Sequence, residues 1–132
     1  MDQTTSDTVR DLHHPLILSS RVIGTPVIDR DGKKLGHVED LSIEKTSGKT
    51  VYAILASGGF LGLGEKLHPV PWLLLDYDVS EEAYRLPLDS AAVKDAPSYG
   101  PSEIRMLGGS DHRIYGDTIY GYYGTYGAVP YW

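Results

Sequence analysis

The feature that most constrains this chain is the regular alternation of short apolar runs with turn sequences over residues 22–72. Turns rich in Gly and Asp recur there about every ten residues, as they do in small antiparallel barrels and sandwiches. The clearest are Asp-Arg-Asp-Gly at 29–32 and Thr-Ser-Gly-Lys at 46–49. Asp side chains accept nearby amide hydrogens in such turns, and Gly tolerates positive φ. The spacing therefore predicts a mainly β domain.

The second predicted strand, residues 34–45, changes the parity of its apolar residues. Val38 stands at an even position, whereas Leu41 and Ile43 stand at odd ones. A strand of period two holds all three on one face only if one extra residue is inserted. We therefore predict a bulge or sharp bend at residues 39–40.

Prolines limit the pairing of two other predicted strands. The first strand, residues 22–28, contains Pro26, and the fourth, residues 67–72, contains Pro69 and Pro71. Proline has no amide donor, so such strands belong at a sheet edge or beside a bulge. The fourth strand is therefore predicted to be an edge strand or half-paired.

The third predicted strand, residues 50–57, is apolar on both faces. Val51, Ala53 and Leu55 alternate with Tyr52, Ile54 and Ala56. A strand of this kind is covered on both sides. In a small barrel one face fills the interior, and the other needs either a terminal segment of the chain or a second subunit as a cover.

The chain divides into three predicted parts. A polar N-terminal leader covers residues 1–15, the barrel domain covers 16–98, and a Tyr/Gly-rich C-terminal segment covers 99–132. A short helical turn is predicted near residues 90–95, and the two ends are predicted to be flexible tails. Residues 115–132 show no regular helical or strand period. They could form a flexible aromatic segment, a lid over the barrel or a self-association segment.

Composition excludes several classes of function. Among 132 residues there is no Cys, so disulfides, thiolate catalysis and Cys-based metal centres are ruled out. With 18 acidic and 12 basic residues the net charge is −6, which argues against direct contact with nucleic acid. No run approaches the roughly 20 apolar residues of a membrane span, and no secretory signal is present. A cytoplasmic location is expected.

Candidate chemistry is sparse. The loop Gly-Gly-Phe-Leu-Gly-Leu-Gly-Glu-Lys at 58–66 lacks the spacing of a phosphate-binding loop. His37, Glu39 and His68 are candidate metal ligands, but a metal site needs three or more converging groups, and sequence alone does not place these together. We therefore expect no catalytic, cofactor-binding or metal-ligating residues, and we do not expect an enzyme.

Over about residues 18–97 the sequence resembles the PRC-barrel family, named for the cytoplasmic domain of the photosynthetic reaction-centre H subunit. The resemblance rests on three phrases in order: RVIGTPVIDRDGKKLGHVEDLSIEKTSGKTVYAIL, GGFLGLGEKLHPVPW, and YRLPLD followed by KDAPSY. It implies a small, strongly bent antiparallel β-barrel that serves assembly or protein contacts, is often dimeric, and has no shared catalytic residues. The chain is similar to the stand-alone members of the family.

The leading hypothesis is a non-enzymatic protein-interaction module that forms a homodimer, with any further protein partner unknown. Its predicted interface consists of apolar residues of the third strand, the glycine-rich loop and the fourth strand: Tyr52, Ile54, Phe60, Leu61, Leu63 and Trp72. One alternative is a small-ligand or metal-binding module. Another, from the family resemblance, is an adaptor linked to ribosomes or RNA processing that binds a protein partner.

Overall fold

The computed structural model describes residues 15–57 and 66–132, and within them one six-stranded sheet organises the chain. The strands are β1 Pro26–Ile28, β2 Lys34–Ile43, β3 Thr50–Ser57, β4 Lys66–Pro71, β5 Asp76–Asp78 and β6 Ala83–Arg85. Their order across the sheet is β4-β3-β2-β1-β6-β5. Neighbours are antiparallel except β1 and β6, which pair in parallel. The mainly β, strongly bent fold is confirmed, although the sheet is mixed rather than wholly antiparallel.

Four helices and two short 3-10 turns flank this sheet in the described part of the chain. They are α1 Ser19–Val22, α2 Ser90–Asp95, α3 Pro101–Ile104 and α4 His112–Tyr123, with 3-10 turns at Trp72–Leu74 and Gly124–Tyr126. The helical turn predicted near 90–95 is confirmed as α2, and Asp89 caps it by accepting the amide hydrogen of Ala92 at 2.9 Å. The first strand starts only at Pro26, because residues 19–22 are helical.

The predicted hairpin turn after β1 is confirmed. Asp29 Oδ1 accepts the amide hydrogens of Asp31 at 2.8 Å and Lys33 at 2.9 Å. Gly32 has φ of 86°, which is favourable for glycine and costly for other residues. The turn therefore depends on the side chain and the glycine that identified it in the sequence.

The bulge predicted at residues 39–40 is present. Val38 pairs with Leu55 and Asp40 with Ile54, so Glu39 is the extra residue on β2. Leu41 then lies opposite Ala53, which puts it on the same face as Val38 and Leu55. Asp40 Oδ1 accepts the amide hydrogen of Leu41 at 2.8 Å and stabilises the bend.

β4 lies at one edge of the sheet, as its two prolines required. It pairs with β3 on one side, and on the other the carbonyl of Leu67 accepts the amide hydrogen of Tyr99 at 2.9 Å. Leu67, Pro69 and Pro71 have the same parity, so the missing proline donors point away from β3. The ladder between β3 and β4 is therefore left intact.

Candidate interaction surface

The chain's own C-terminal helix α4 covers the second face of β3. The Tyr120 ring packs 5.8 Å from that of Tyr52, and Tyr131 meets Tyr52 edge-on at 6.4 Å. Tyr52 retains only 4% of its surface exposed and Ile54 2%. Burial raises the pKa of the Tyr52 hydroxyl well above its usual value, so it stays neutral. The cover that β3 requires is thus supplied within the chain.

Gly116 allows the Trp132 ring to pack closely against α4. A Cβ at Gly116 would lie 2.5 Å from two ring carbons of Trp132, so only glycine leaves room for the indole. On the same helix, the guanidinium of Arg113 lies 5.6 Å from the centre of the Trp132 ring, within cation–π distance. Residues 115–132, whose sequence has no regular helical or strand period, therefore include most of a helix that packs through its aromatic rings.

The described members of the predicted interface, Tyr52, Ile54 and Trp72, differ in exposure. Tyr52 is buried against Tyr120 and Tyr131, and Ile54 is buried in the core, so neither side chain is exposed on the single chain. Phe60, Leu61 and Leu63 lie outside the described residues. Trp72 is half-buried and borders an open groove.

That groove is an apolar depression of ≈ 480 Å³ between the entry segment before α1 and the β5–β6 hairpin. We call it the groove; the residues that line it include Leu16, Ile17, Leu18, Trp72, Tyr77 and Tyr84. Leu16 is 77% exposed and Leu18 72% exposed. Arg21 supplies a cation to the wall formed by the entry segment. Clustered apolar exposure of this kind marks interaction surfaces more often than scattered apolar residues do.

Three aromatic rings form the floor of the groove. The Trp72 ring lies 5.3 Å from that of Tyr84, which lies 5.1 Å from that of Tyr77. Tyr84 is buried, whereas Tyr77 is 45% exposed. Burial, and to a smaller extent the neighbouring Tyr77, raises the pKa of the Tyr84 hydroxyl. The buried ring of Tyr84 therefore lies between two rings that are partly exposed.

The other face of the β5–β6 hairpin is acidic. Asp76 and Asp78 of β5 border a shallow hollow of ≈ 750 Å³ together with Glu82 and Arg85. The Arg85 guanidinium donates hydrogen bonds to Asp78 and to the carbonyl oxygens of Asp29 and Arg30. The hydrogen bond from Arg85, then those from Ser80 and Glu81, hold the pKa of Asp78 well below its usual range. Asp78 is therefore ionised at neutral pH.

The candidate metal ligands are not brought together. His37 lies opposite Ala56, whereas Leu55, the next residue of β3, lies opposite His68. Successive residues of a strand face opposite sides, so His37 and His68 lie on opposite faces of the sheet. His37 instead contacts Glu39, with 2.9 Å between ring nitrogen and carboxylate. In the described part of the chain no three His, Asp or Glu residues are grouped to hold a metal.

His68 is fully buried, and its Nδ1 contacts the carbonyl oxygen of Pro97 at 3.2 Å. A carbonyl can only accept, so Nδ1 carries the proton. Burial lowers the pKa of His68, and its Nε2 has no hydrogen-bond partner among the described residues. His68 is thus a neutral link between β4 and the segment after α2.

Of the residues around the groove, only Trp72 is predicted from the sequence to contact a partner. The apolar run at 16–18 and the alternation of Asp and Tyr at 76–78 are visible in the sequence. These two segments come close together because the sheet bends, and no local sequence pattern predicts that bend. Within residues 15–57 and 66–132, no helix is both long and apolar enough to cross a membrane.

Comparison with known proteins gives one family. The family model described as the PRC-barrel domain matches residues 15–93. Among solved structures, a Pseudomonas aeruginosa protein described as a candidate 16S ribosomal RNA processing protein, RimM, is similar at TM-score 0.39 and 17% sequence identity. The match covers 60% of this chain and 48% of that one, so the chain spans about half the length of that structure. No curated protein gives a significant match.

Proposed function

The chain belongs to the PRC-barrel domain family, and from this premise we propose that it is a non-enzymatic protein-interaction module whose docking surface is the groove. The observation that carries the proposal is the clustered exposure of Leu16 and Leu18 beside Trp72 and Tyr77. Protein interfaces are enriched in aromatic anchors within an apolar centre. A cytoplasmic location, expected from the sequence, is part of the same proposal.

A protein suits the groove better than a small ligand does. Its ≈ 480 Å³ falls within the ~300–1,000 Å³ range of ligand pockets. Such pockets, however, bury most of their ligand, whereas Leu16 and Leu18 leave about three-quarters of their surface open. A partner that covers these side chains must extend beyond the cavity. The alternative of an adaptor linked to ribosomes or RNA processing is one case of such a protein partner, and ribosome co-sedimentation at physiological salt tests it.

The homodimer predicted from the sequence is one form that such a protein interaction can take. Its basis is the second apolar face of β3 together with Phe60, Leu61 and Leu63. On that face Tyr52 packs against Tyr120 of α4, and the three loop residues lie outside the described residues. Trp72 of the predicted interface borders the groove, which we propose as a described part of the dimer surface. Light scattering at low micromolar concentration tests the homodimer. A mass of 14.5 kDa would show a monomer and overturn it, whereas twice that mass would support it.

Photo-cross-linking tests the docking surface directly. A benzophenone amino acid is placed at Leu18, 72% exposed in the groove, or at Ile114, 67% exposed on α4. In cells, Leu18 should give a discrete adduct with another polypeptide, and Ile114 should give none. Adding Tyr77→Asp should abolish the Leu18 adduct. Equal adducts at both positions, or none at Leu18, would overturn the proposal.

A further inference from the structure

Among the described strands, β5 is the one whose open side borders both the groove and the acidic hollow. It ends the sheet and pairs only with β6 in this part of the chain. Extended backbone begins one residue earlier, since Leu75 has φ −93° and ψ 127°. The outer side of residues 75–78 therefore offers an edge to which a further strand can add.

The two faces of this edge differ in chemistry. Tyr77 pairs with Tyr84 on the face that forms the groove. Asp76 pairs with Arg85 and Asp78 with Ala83 on the opposite face, where the hollow lies. Because side chains alternate along a strand, an added strand would present every second residue to the apolar groove and the others to the carboxylates.

We propose that β5 receives an extended segment of a partner protein in which apolar and basic residues alternate. The apolar residues of that segment pack against Tyr77 and the leucines of the groove. The basic residues of that segment face Asp76 and Glu82. The carboxylates that line the hollow outnumber its one cation, Arg85. This inference rests on the proposed function and names the chemistry and conformation of the partner.

A second copy of the chain fits this edge poorly. Antiparallel pairing of two β5 strands about Tyr77 would place Asp76 of each copy opposite Asp78 of the other. Like charges directly opposite destabilise a strand pair. Each copy also carries a net charge of −6, which opposes their approach. Charge complementarity therefore favours a basic partner over self-pairing.

A peptide titration tests the inference on the full chain. The probe is an acetylated, amidated heptapeptide that alternates Lys with Val. One control replaces every Lys by Glu, and another keeps the composition but separates Lys and Val into two blocks. We expect the alternating probe to shift the backbone amide NMR signals of residues 75–78 and to protect them from exchange. Both control peptides should bind at least about fivefold more weakly.

Charge variants complete the test. Asp76→Lys should weaken binding of the alternating probe at least about fivefold, whereas Asp117→Lys, the same change on exposed α4, should leave it unaltered. Equal binding of the alternating and blocked peptides, or equal loss in both variants, would reduce the effect to net charge and overturn the inference. Absence of binding by the alternating probe would overturn it as well. Neither result touches the proposed function, which fails only if Leu18 gives no adduct or if Ile114 gives an equal one.

Discussion

At the scale of single residues, Gly116 determines whether the C-terminal residue can lie on α4. The Trp132 ring occupies the space where any other residue would carry a Cβ. Trp132 is 43% exposed, so its ring has room to move when it is displaced. A side chain at position 116 should therefore shift the indole rather than unfold the domain.

Gly116→Ala should destabilise the protein by about 1 to 3 kcal/mol, through steric overlap with Trp132. Gly121→Ala is the matched control on the same helix, because an added Cβ would have no atom within 4 Å there. It should gain up to about 1 kcal/mol from helix propensity. Urea unfolding measures both, and Trp fluorescence should shift to longer wavelength only in Gly116→Ala. Equal changes in stability and fluorescence in the two variants would contradict the packing of Trp132 against Gly116.

His68 gives the fold a pH dependence. Burial lowers its pKa in the folded state below the usual 6.5, because a second ring proton would be buried without an acceptor. Its contribution to stability is therefore complete above pH ~6.5, and it is lost as the pH falls from there through the folded-state pKa. Protonation in the unfolded chain drives this loss.

His68→Asn should reduce that dependence, since the Asn amide can still donate to Pro97 but does not titrate. We expect the free energy of unfolding of the wild type to fall more steeply between about pH 7.5 and 5 than that of the variant. A difference in absolute stability between the two proteins does not affect this comparison of slopes. Identical slopes would show that another group causes the loss.

At the scale of elements, α4 completes the core and leaves its other side in solvent. Ile119 and Tyr123 are fully buried, whereas Ile114 is 67% exposed. The Tyr122 hydroxyl donates a hydrogen bond to the carbonyl oxygen of Ala92, which links α4 to α2. The helix is therefore part of the folded domain rather than an appended tail.

Two isoleucines on this helix provide a paired test. Ile119→Ala should cost about 2 to 5 kcal/mol, because it removes buried methyl groups from a filled core. Ile114→Ala should change stability by less than about 0.5 kcal/mol. Chemical denaturation of both variants measures the difference. A similar, small effect of both would mean that α4 is not packed as described.

At the scale of the whole molecule, the predictable features are those set by local sequence. The turn at Asp29, the bulge at Glu39 and the cap at Asp89 each depend on residues close in the chain. The edge position of β4 follows from Pro69 and Pro71. Each rests on a backbone requirement that one or two side chains reveal.

The groove could not be predicted, and the sequence leaves open the choice between a terminal segment and a second subunit as the cover of β3, because both depend on contacts between distant residues. Four tyrosines and two glycines within residues 115–123 give α4 weak intrinsic helix propensity and hide its period. Tertiary packing on Tyr52 overrides that weakness. The groove likewise joins residues 16–18 to β5 and β6, which the sequence separates by about sixty residues.

Hydrogen exchange of the isolated full chain tests the central claim most directly, namely that α4 packs on the second face of β3 and that the outer edge of β5 is left open. We predict slow exchange in residues 52–56 and 119–123, and exchange faster by at least about tenfold in residues 75–78, independent of protein concentration. Rapid exchange throughout α4, or protection of residues 75–78 equal to that of β3, would contradict this claim.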